Sequence, residues 1–284
     1  MTATSVLLLS CPDQPGIVAA VADFVYHHGG NILDAQQHTD RTDGVFFQRV
    51  EFALDGCDLD RAEIAPALRP LVDRFAMRCV VRFSDDRPRV GVMVSREAHC
   101  LVDLLARSRR GELPIEIPVV ISNHVDHAEV ASWFGVEFVH LPVTTATRAE
   151  QERAVLDVLR SHRVTLVVLA RYMQVLSPEF VEQWPAAIVN IHHSFLPAFM
   201  GARPYHQAHE RGVKIVGVTA HYATAELDDG PIIDQDVVRV SHRDSVEDLQ
   251  RRGRDLEVAV LARAVRAHVE HRVLVHGRRT VVFD

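Results

Sequence analysis

The sequence predicts an α/β protein of two domains. A βαββαβ ferredoxin-like unit over 1–84 precedes a Rossmann-like, mostly parallel-sheet unit over 85–284. Three observations predict this. The apolar pattern before residue 84 spells strand, helix, strand, strand, helix, strand, the order of the ferredoxin-like unit. After residue 88 short apolar strands alternate with amphipathic helices, as in a parallel sheet covered on both faces. Between the two, Ser84-Asp85-Asp86-Arg87-Pro88 is polar and ends in proline, which suits a linker.

A strand is expected over 6–10, followed by a turn at Cys11-Pro12-Asp13-Gln14-Pro15-Gly16. Apolar residues at 17, 18, 21, 24 and 25 make the stripe of a helix over 17–28. Gly29-Gly30 ends it, because glycine takes the left-handed conformation readily. Strands follow over 31–39 and 45–52 around Arg41-Thr42-Asp43-Gly44, then a helix over 60–74 and a strand over 76–83. In the second unit, strands are expected over 89–94, 118–122, 137–141, 165–169, 188–191, 213–220 and 232–240. Helices fill the gaps over 96–110, 128–134, 149–162, 178–183 and 205–211. A long helix over 245–271 starts at an N-cap serine, Ser245, and turns Val246, Leu249, Leu256 and Val260 to one face. Strands over 273–275 and 280–283 close a hairpin around His276-Gly277.

A chain of 284 residues, 48% apolar and 24% charged, buries a large core, which excludes a disulfide miniprotein and argues against disorder. Thirty-one basic against 38 acidic residues give a net charge of −7, so nucleic acid is not expected as a partner. The first residues show no basic leader, and no apolar run reaches the ~18–20 residues of a membrane span. Cys11, Cys57, Cys79 and Cys100 lack CxxC spacing and read as reduced thiols, so a cytoplasmic location is expected.

The chain lacks GxGxxG after the first strand of its second unit, and it lacks GxxxxGK[ST], HExxH and GxSxG, which argues against a dinucleotide, ATP, zincin or serine-hydrolase site. Its His-x-x-His pairs are what 17 histidines produce by chance, so no metal site is expected. The richest stretch is 188–206, where an apolar strand runs into a polar loop. Ligands of an open parallel sheet bind at such carboxyl ends. Asn190 and His192 are two apart and point the same way on an extended chain. An amide donor beside an imidazole suits a developing oxyanion, although a strand end with satisfied polar groups reads the same. Asp228-Asp229-Gly230-Pro231 is ordinary turn chemistry, and equally a carboxylate able to orient an imidazole or act as base. Spacing alone does not bring Asp228 to His192.

Asn190-Ile191-His192, with Ser194-x-Leu196-Pro197 and then Asp228-x-Gly230, resembles the 10-formyltetrahydrofolate-dependent formyltransferase fold over about 89–284. Leu169-Ala170-Arg171-Tyr172-Met173-Gln174-Val175-Leu176 resembles the folate-side loop of that group. The first unit resembles an ACT domain through Asp13-x-Pro15-Gly16-Ile17 and Gly30-Asn31-Ile32. The two joined resemble the formyltetrahydrofolate deformylase family. Two departures from the transferases agree with that. Ser95-Arg96-Glu97 stands where the nucleotide-binding transferase has a Gly-Ser-Asn phosphate cradle, and His193 stands where the transferases have proline.

The resemblance implies hydrolysis of 10-formyltetrahydrofolate to tetrahydrofolate and formate, supplying formate for purine biosynthesis and balancing one-carbon folate pools. It implies Asn190 as oxyanion donor, His192 as charge stabiliser and proton relay, and Asp228 as orienter of His192 or activator of water. The backbone of Met173, Gln174, Val175 and Leu176 would hold the folate. No metal or redox cofactor is implied. The ACT resemblance implies a homo-oligomer and an amino-acid effector at Asp13, Gly16, Asn31 and Ile32. Two other readings stay open: a formyltransferase with an amine acceptor such as glycinamide ribonucleotide, and a non-catalytic amino-acid sensor.

Overall fold

The structure, a computed structural model, describes residues 3–198 and 204–284; residues 199–203 of the 188–206 stretch lie outside them. The chain forms two compact units. One comprises Met1–Asp86 with Glu270–His276 and Val281–Asp284; the other comprises Arg87–Val269 with Gly277–Thr280.

The first unit runs β1 (Thr4–Pro12), α1 (Ile17–His27), β2 (Asn31–Asp40), β3 (Val45–Ala53), α2 (Arg61–Ala67), α3 (Arg69–Phe75) and β4 (Arg78–Phe83). Its antiparallel sheet has the order β2-β3-β1-β4. β1 is buried on both faces. Leu7, Leu9 and Cys11 pack with Val21, Val25, Ile64 and Leu68 of the helices, while Val6 and Leu8 pack with Phe47 and Phe283. Two-sided burial is why this strand reads as an unbroken apolar run. The helix expected over 60–74 is two helices meeting at Leu68. Pro70 has no N–H for the carbonyl of Pro66, and its ring crowds that turn. The expected boundary at residue 84 also needs correction at the far end of the chain. Leu274, Val281 and Phe283 pack on Val6, Leu8 and Phe47, so the last strand residues belong with the first unit.

The second unit runs β5 (Arg89–Val94), α4 (His99–Arg110), β6 (Glu116–Ser122), α5 (Ala128–Phe134), β7 (Glu137–His140), α6 (Arg148–Ser161) and β8 (Leu166–Leu169). It continues through α7 (Pro178–Val181), β9 (Ile188–His192), α8 (Pro204–Arg211), β10 (Ile215–Tyr222), β11 (Ile232–Arg239) and α9 (Val246–Val269). β12 (Val273–His276) and β13 (Arg279–Val282) then pair with each other. The large sheet has the order β11-β10-β9-β8-β5-β6-β7. It is parallel from β7 to β9 and antiparallel at β9–β10 and β10–β11. Its core packs Met93, Val119, Ile121, Val167 and Ile188 of the strands against Val155, Leu159 and Phe180 of the helices.

The strand order turns at β5, with β6 and β7 on one side and β8 and β9 on the other. Connections leaving β5 and β8 therefore diverge and open a crevice at the carboxyl ends of these strands. Ser95, just after β5, ties that strand to the loop after β8: its N–H donates to the carbonyl of Arg171 at 3.2 Å, and its Oγ accepts the N–H of Met173 at 3.0 Å.

Candidate active site

β9 carries Asn190 and His192 to this crevice, and strand alternation sends both side chains to one face. Leu169 of β8 pairs with Asn190, so the loop after β8 leaves directly beside it. On the other side β10 pairs His221 with Asn190. The Asn190 Nδ2 lies 3.1 Å from His221 Nε2, and His221 Nδ1 lies 3.0 Å from the carbonyl of Tyr222. That carbonyl can only accept, so His221 Nδ1 carries the hydrogen and Nε2 accepts from Asn190. The amide orientation of Asn190 is thereby set, with the second hydrogen of Nδ2 left for a group in the cavity. Burial, with the charge of His192, lowers the His221 pKa further than its Tyr222 bond and the Asp228 charge raise it, which keeps the ring in the neutral form this bond requires.

His192 makes two bonds of its own. Nδ1 is 3.1 Å from Asp228 Oδ1, and Nε2 is 2.8 Å from Ser194 Oγ. Ser194 Oγ gives its one hydrogen to the carbonyl of Ala198 at 2.9 Å, so it accepts from Nε2–H. Both imidazole nitrogens thus face acceptors. For Asp228, burial raises the carboxyl pKa, but the hydrogen bond and charge of His192, with the charges of His221 and His193, outweigh it and hold the carboxyl below its ordinary value.

The backbone around Asp228 explains the Asp-x-Gly spacing. Asp228 sits at φ 55, the left-handed region in which aspartate is tolerated. Gly230 passes so close to β10 that a Cβ there would lie 1.7 Å from the carbonyl oxygen of Tyr222. Asp229 turns away and pairs with Arg278.

A cavity of about 320 Å³ collects these groups. Asn190, His192, His193, His221 and Asp228 line one part, and residues 171–176 line another. All three expected catalytic residues and all four expected folate-loop residues therefore face one space. Arg148 holds the loop by donating to the carbonyl of Val175. Met173 is 57% exposed and Leu227 63% exposed, which gives the cavity an apolar rim.

Sequence reasoning missed a buried cluster beside this space. Glu257 of α9 is 1% exposed and accepts from His99 Nε2 at 2.7 Å and Tyr205 Oη at 3.1 Å. Arg171 Nε lies 3.3 Å from the same carboxylate. Burial raises the Glu257 pKa, but the His99 hydrogen bond and the Arg171 and His99 charges leave it below the ordinary value. A signal was present: Leu249, Gly253, Glu257 and Val260 form one buried stripe on α9, and a carboxylate inside such a stripe needs partners. Gly253 belongs to the same arrangement, since a Cβ there would lie 1.9 Å from the Tyr205 hydroxyl. His99, Cys100 and Glu257 bring donor atoms within 4.8 Å of one another. The Arg171 guanidinium on Glu257 and a Cys100 thiol pushed far up by burial make this a poor cation site.

The expected effector residues are not gathered within one copy of the first unit. The Asp13 N–H donates to the carbonyl of Gly44 at 2.8 Å, at the start of β3, and Gly16 caps α1 at φ 94. Asn31 pairs with Ala53 and Ile32 with Phe52, at the other end of β3. At ~3.3 Å per residue the two pairs are separated by roughly the length of a strand, too far to touch one small ligand together.

Residues 88–265 match the formyl transferase family and residues 5–73 the ACT domain family. A formyltetrahydrofolate deformylase of Synechocystis sp. is 57% identical over 99% of this chain and 98% of its own. The crystal structure of a formyltetrahydrofolate deformylase from Pseudomonas syringae superposes with a TM-score of 0.98 at 47% identity, covering 100% of this chain and 95% of that one. A glycinamide ribonucleotide transformylase from Symbiobacterium toebii aligns with a TM-score of 0.66 at 37% identity, over 70% of this chain and 95% of its own.

Proposed function

The chain belongs to the formyltetrahydrofolate deformylase family, an ACT domain ahead of a formyl transferase domain, and from that premise we propose that it hydrolyses 10-formyltetrahydrofolate to tetrahydrofolate and formate. The observation that carries the proposal is the single cavity shared by Asn190, His192, Asp228 and the 173–176 loop. The formyl group is an amide of N10, and water must add to its carbonyl. Asn190 Nδ2–H donates to the oxygen that gains charge, a role worth more in the transition state than in the bound substrate. His192 stabilises that charge and delivers a proton to the leaving N10, while Asp228 holds its ring. The backbone of 173–176 offers edge hydrogen bonds to the pterin. This is proton transfer and charge stabilisation, chemistry that requires no metal or redox group.

Two further readings belong to the same proposal. The ACT unit assembles copies of the chain and takes a small amino acid between them, because Asp13 and Gly16 of one copy meet a common ligand with Asn31 and Ile32 only if a second copy supplies one pair. The four free thiols suit a reducing, cytoplasmic compartment. The deciding experiment is formate release from purified protein given only 10-formyltetrahydrofolate. Release independent of any amine supports hydrolysis, and release only on adding glycinamide ribonucleotide would make the chain a transferase. Titration of glycine, methionine and serine, followed by turnover and thermal shift, tests the effector.

A further inference from the structure

We propose that His193 is a catalytic residue, the group that binds the attacking water and takes its proton. The inference rests on the hydrolytic reading above and assigns its missing base.

The other imidazole nitrogens of the centre, those of His192 and His221, already have hydrogen-bond partners. Asn190 is tied to His221, and both nitrogens of His192 are tied to Asp228 and Ser194. Asp228 holds His192 at 3.1 Å and lies 3.8 Å from His221. His193 differs. Among the described residues neither of its ring nitrogens takes part in a hydrogen bond; its ring contacts are His192, with centroids 5.1 Å apart, and Tyr205, at 6.2 Å. It lines the large cavity together with Asn190, His192 and Asp228, and it is also a wall of a second cavity of about 120 Å³. A water bonded to His193 therefore has space and lies on the reacting side of the folate cavity. The two imidazoles are neighbours on one wall of this cavity, so a formyl group in front of them faces both.

The charged and titratable groups around the ring are Arg171 from the loop after β8, His192 and Asp228 from the centre, and Glu257 and Tyr205 from the buried cluster. Burial first, then the charges of Arg171 and His192, push the His193 pKa down to about 4, against the weaker pull of Glu257 and Asp228. The resting ring is thus an unprotonated acceptor at neutral pH. Its basicity rises when negative charge develops on the formyl oxygen beside it, at the moment the proton must move.

The step balances as follows. The water oxygen bonds to the formyl carbon, one water proton goes to His193, and the carbonyl electron pair moves to the oxygen held by Asn190. The C–N10 bond breaks with its pair going to N10, which takes a proton from His192. The formic acid formed returns its proton to His192, and His193 releases the first proton to solvent, leaving formate and tetrahydrofolate.

Hydroxylamine separates this role from the others, because it attacks the formyl carbon without help from a base and gives formohydroxamate. In the full-length protein His193→Leu is expected to slow formate release by ~10²-fold or more while hydroxamate formation stays within threefold of the unsubstituted protein. Asp228→Asn is expected to slow both. If His193→Leu melts several degrees lower, His193→Gln is read by the same comparison. The proposal is overturned if the folded His193 variant releases formate within threefold of normal, or if it loses both reactions equally. An unsubstituted protein that releases no formate sinks the hydrolytic reading itself, before any variant is made.

Discussion

His221 and Asn190 sit directly opposite each other on antiparallel strands, and the histidine accepts one of the two amide hydrogens at 3.1 Å. Removing the acceptor frees the amide to rotate and leaves a polar group without its partner, a cost of about 1–3 kcal/mol. His221→Leu is therefore expected to lower kcat by roughly tenfold to a hundredfold with KM little changed. His221→Gln offers a carbonyl acceptor and recovers part of the loss. Equal kcat in both variants and the unsubstituted protein would show that the amide needs no positioning.

Asn190→Ala removes the oxyanion donor itself. The expected loss is ~2.7–4 kcal/mol of transition-state stabilisation, read as kcat, with substrate binding mostly retained. A variant within threefold of normal turnover takes Asn190 out of the mechanism.

Neighbouring aspartates give a sharp contrast. Asp228→Asn removes the carboxylate that holds His192 Nδ1 at 3.1 Å, and turnover is expected to fall by ~10²–10⁴. Asp229 pairs with Arg278, so Asp229→Asn is expected to be mild. Steady-state kinetics of the two variants side by side check the register of this loop, and a crippled Asp229→Asn would contradict it.

Gly230→Ala tests the close backbone passage. Its Cβ would fall 1.7 Å from the Tyr222 oxygen, so either β10 or the Asp228 turn must move. The expected result is a stability loss of about 1–3 kcal/mol by denaturant titration, together with lost activity. Normal activity would mean the turn tolerates displacement.

Acid should destabilise the protein in two stages. The imidazoles of His193 and His221 have pKa values below the ordinary 6.5, so the unfolded chain binds more protons there, and stability falls as pH drops below 6.5, for His193 down to about 4. Glu257 and Asp228 have carboxyl pKa values below the ordinary 4.5 and 3.8; their contribution is complete above those values and is lost as pH falls further. Calorimetric Tm is expected to decrease steadily from pH 7 to 4.5, and His193→Leu to flatten that slope. A Tm unchanged over the interval would refute the assignment.

Much of the second unit was legible because its strands are short apolar blocks between amphipathic helices, and because motif residues cluster where β9 and the Asp228 turn end. The resemblance supplied the pairing of His192 with Asp228, which spacing alone did not. His221 was hidden within the strand sequence Thr219-Ala220-His221-Tyr222, and only its pairing with Asn190 gives it a role. Glu257 required knowing that Gly253 lets Tyr205 approach α9. In the first unit the apolar stripe over 60–74 runs across Pro70, so periodicity favoured one helix where backbone chemistry makes two. The effector residues flank α1 in sequence, and only the register of β3 shows that one copy holds them at opposite ends.

Phe283 completes the cluster of Val6, Leu8 and Phe47, and Asp284 exchanges two hydrogen bonds with Gln36. The amino-terminal unit is thus closed by residues that a ribosome delivers after the entire second unit. During synthesis the early sheet has its outer face uncovered for the time needed to translate everything between, and its final closure carries the loop-entropy cost of a very distant contact. The second unit has no such wait until its own last segments emerge. The nascent chain accordingly matures out of sequence order.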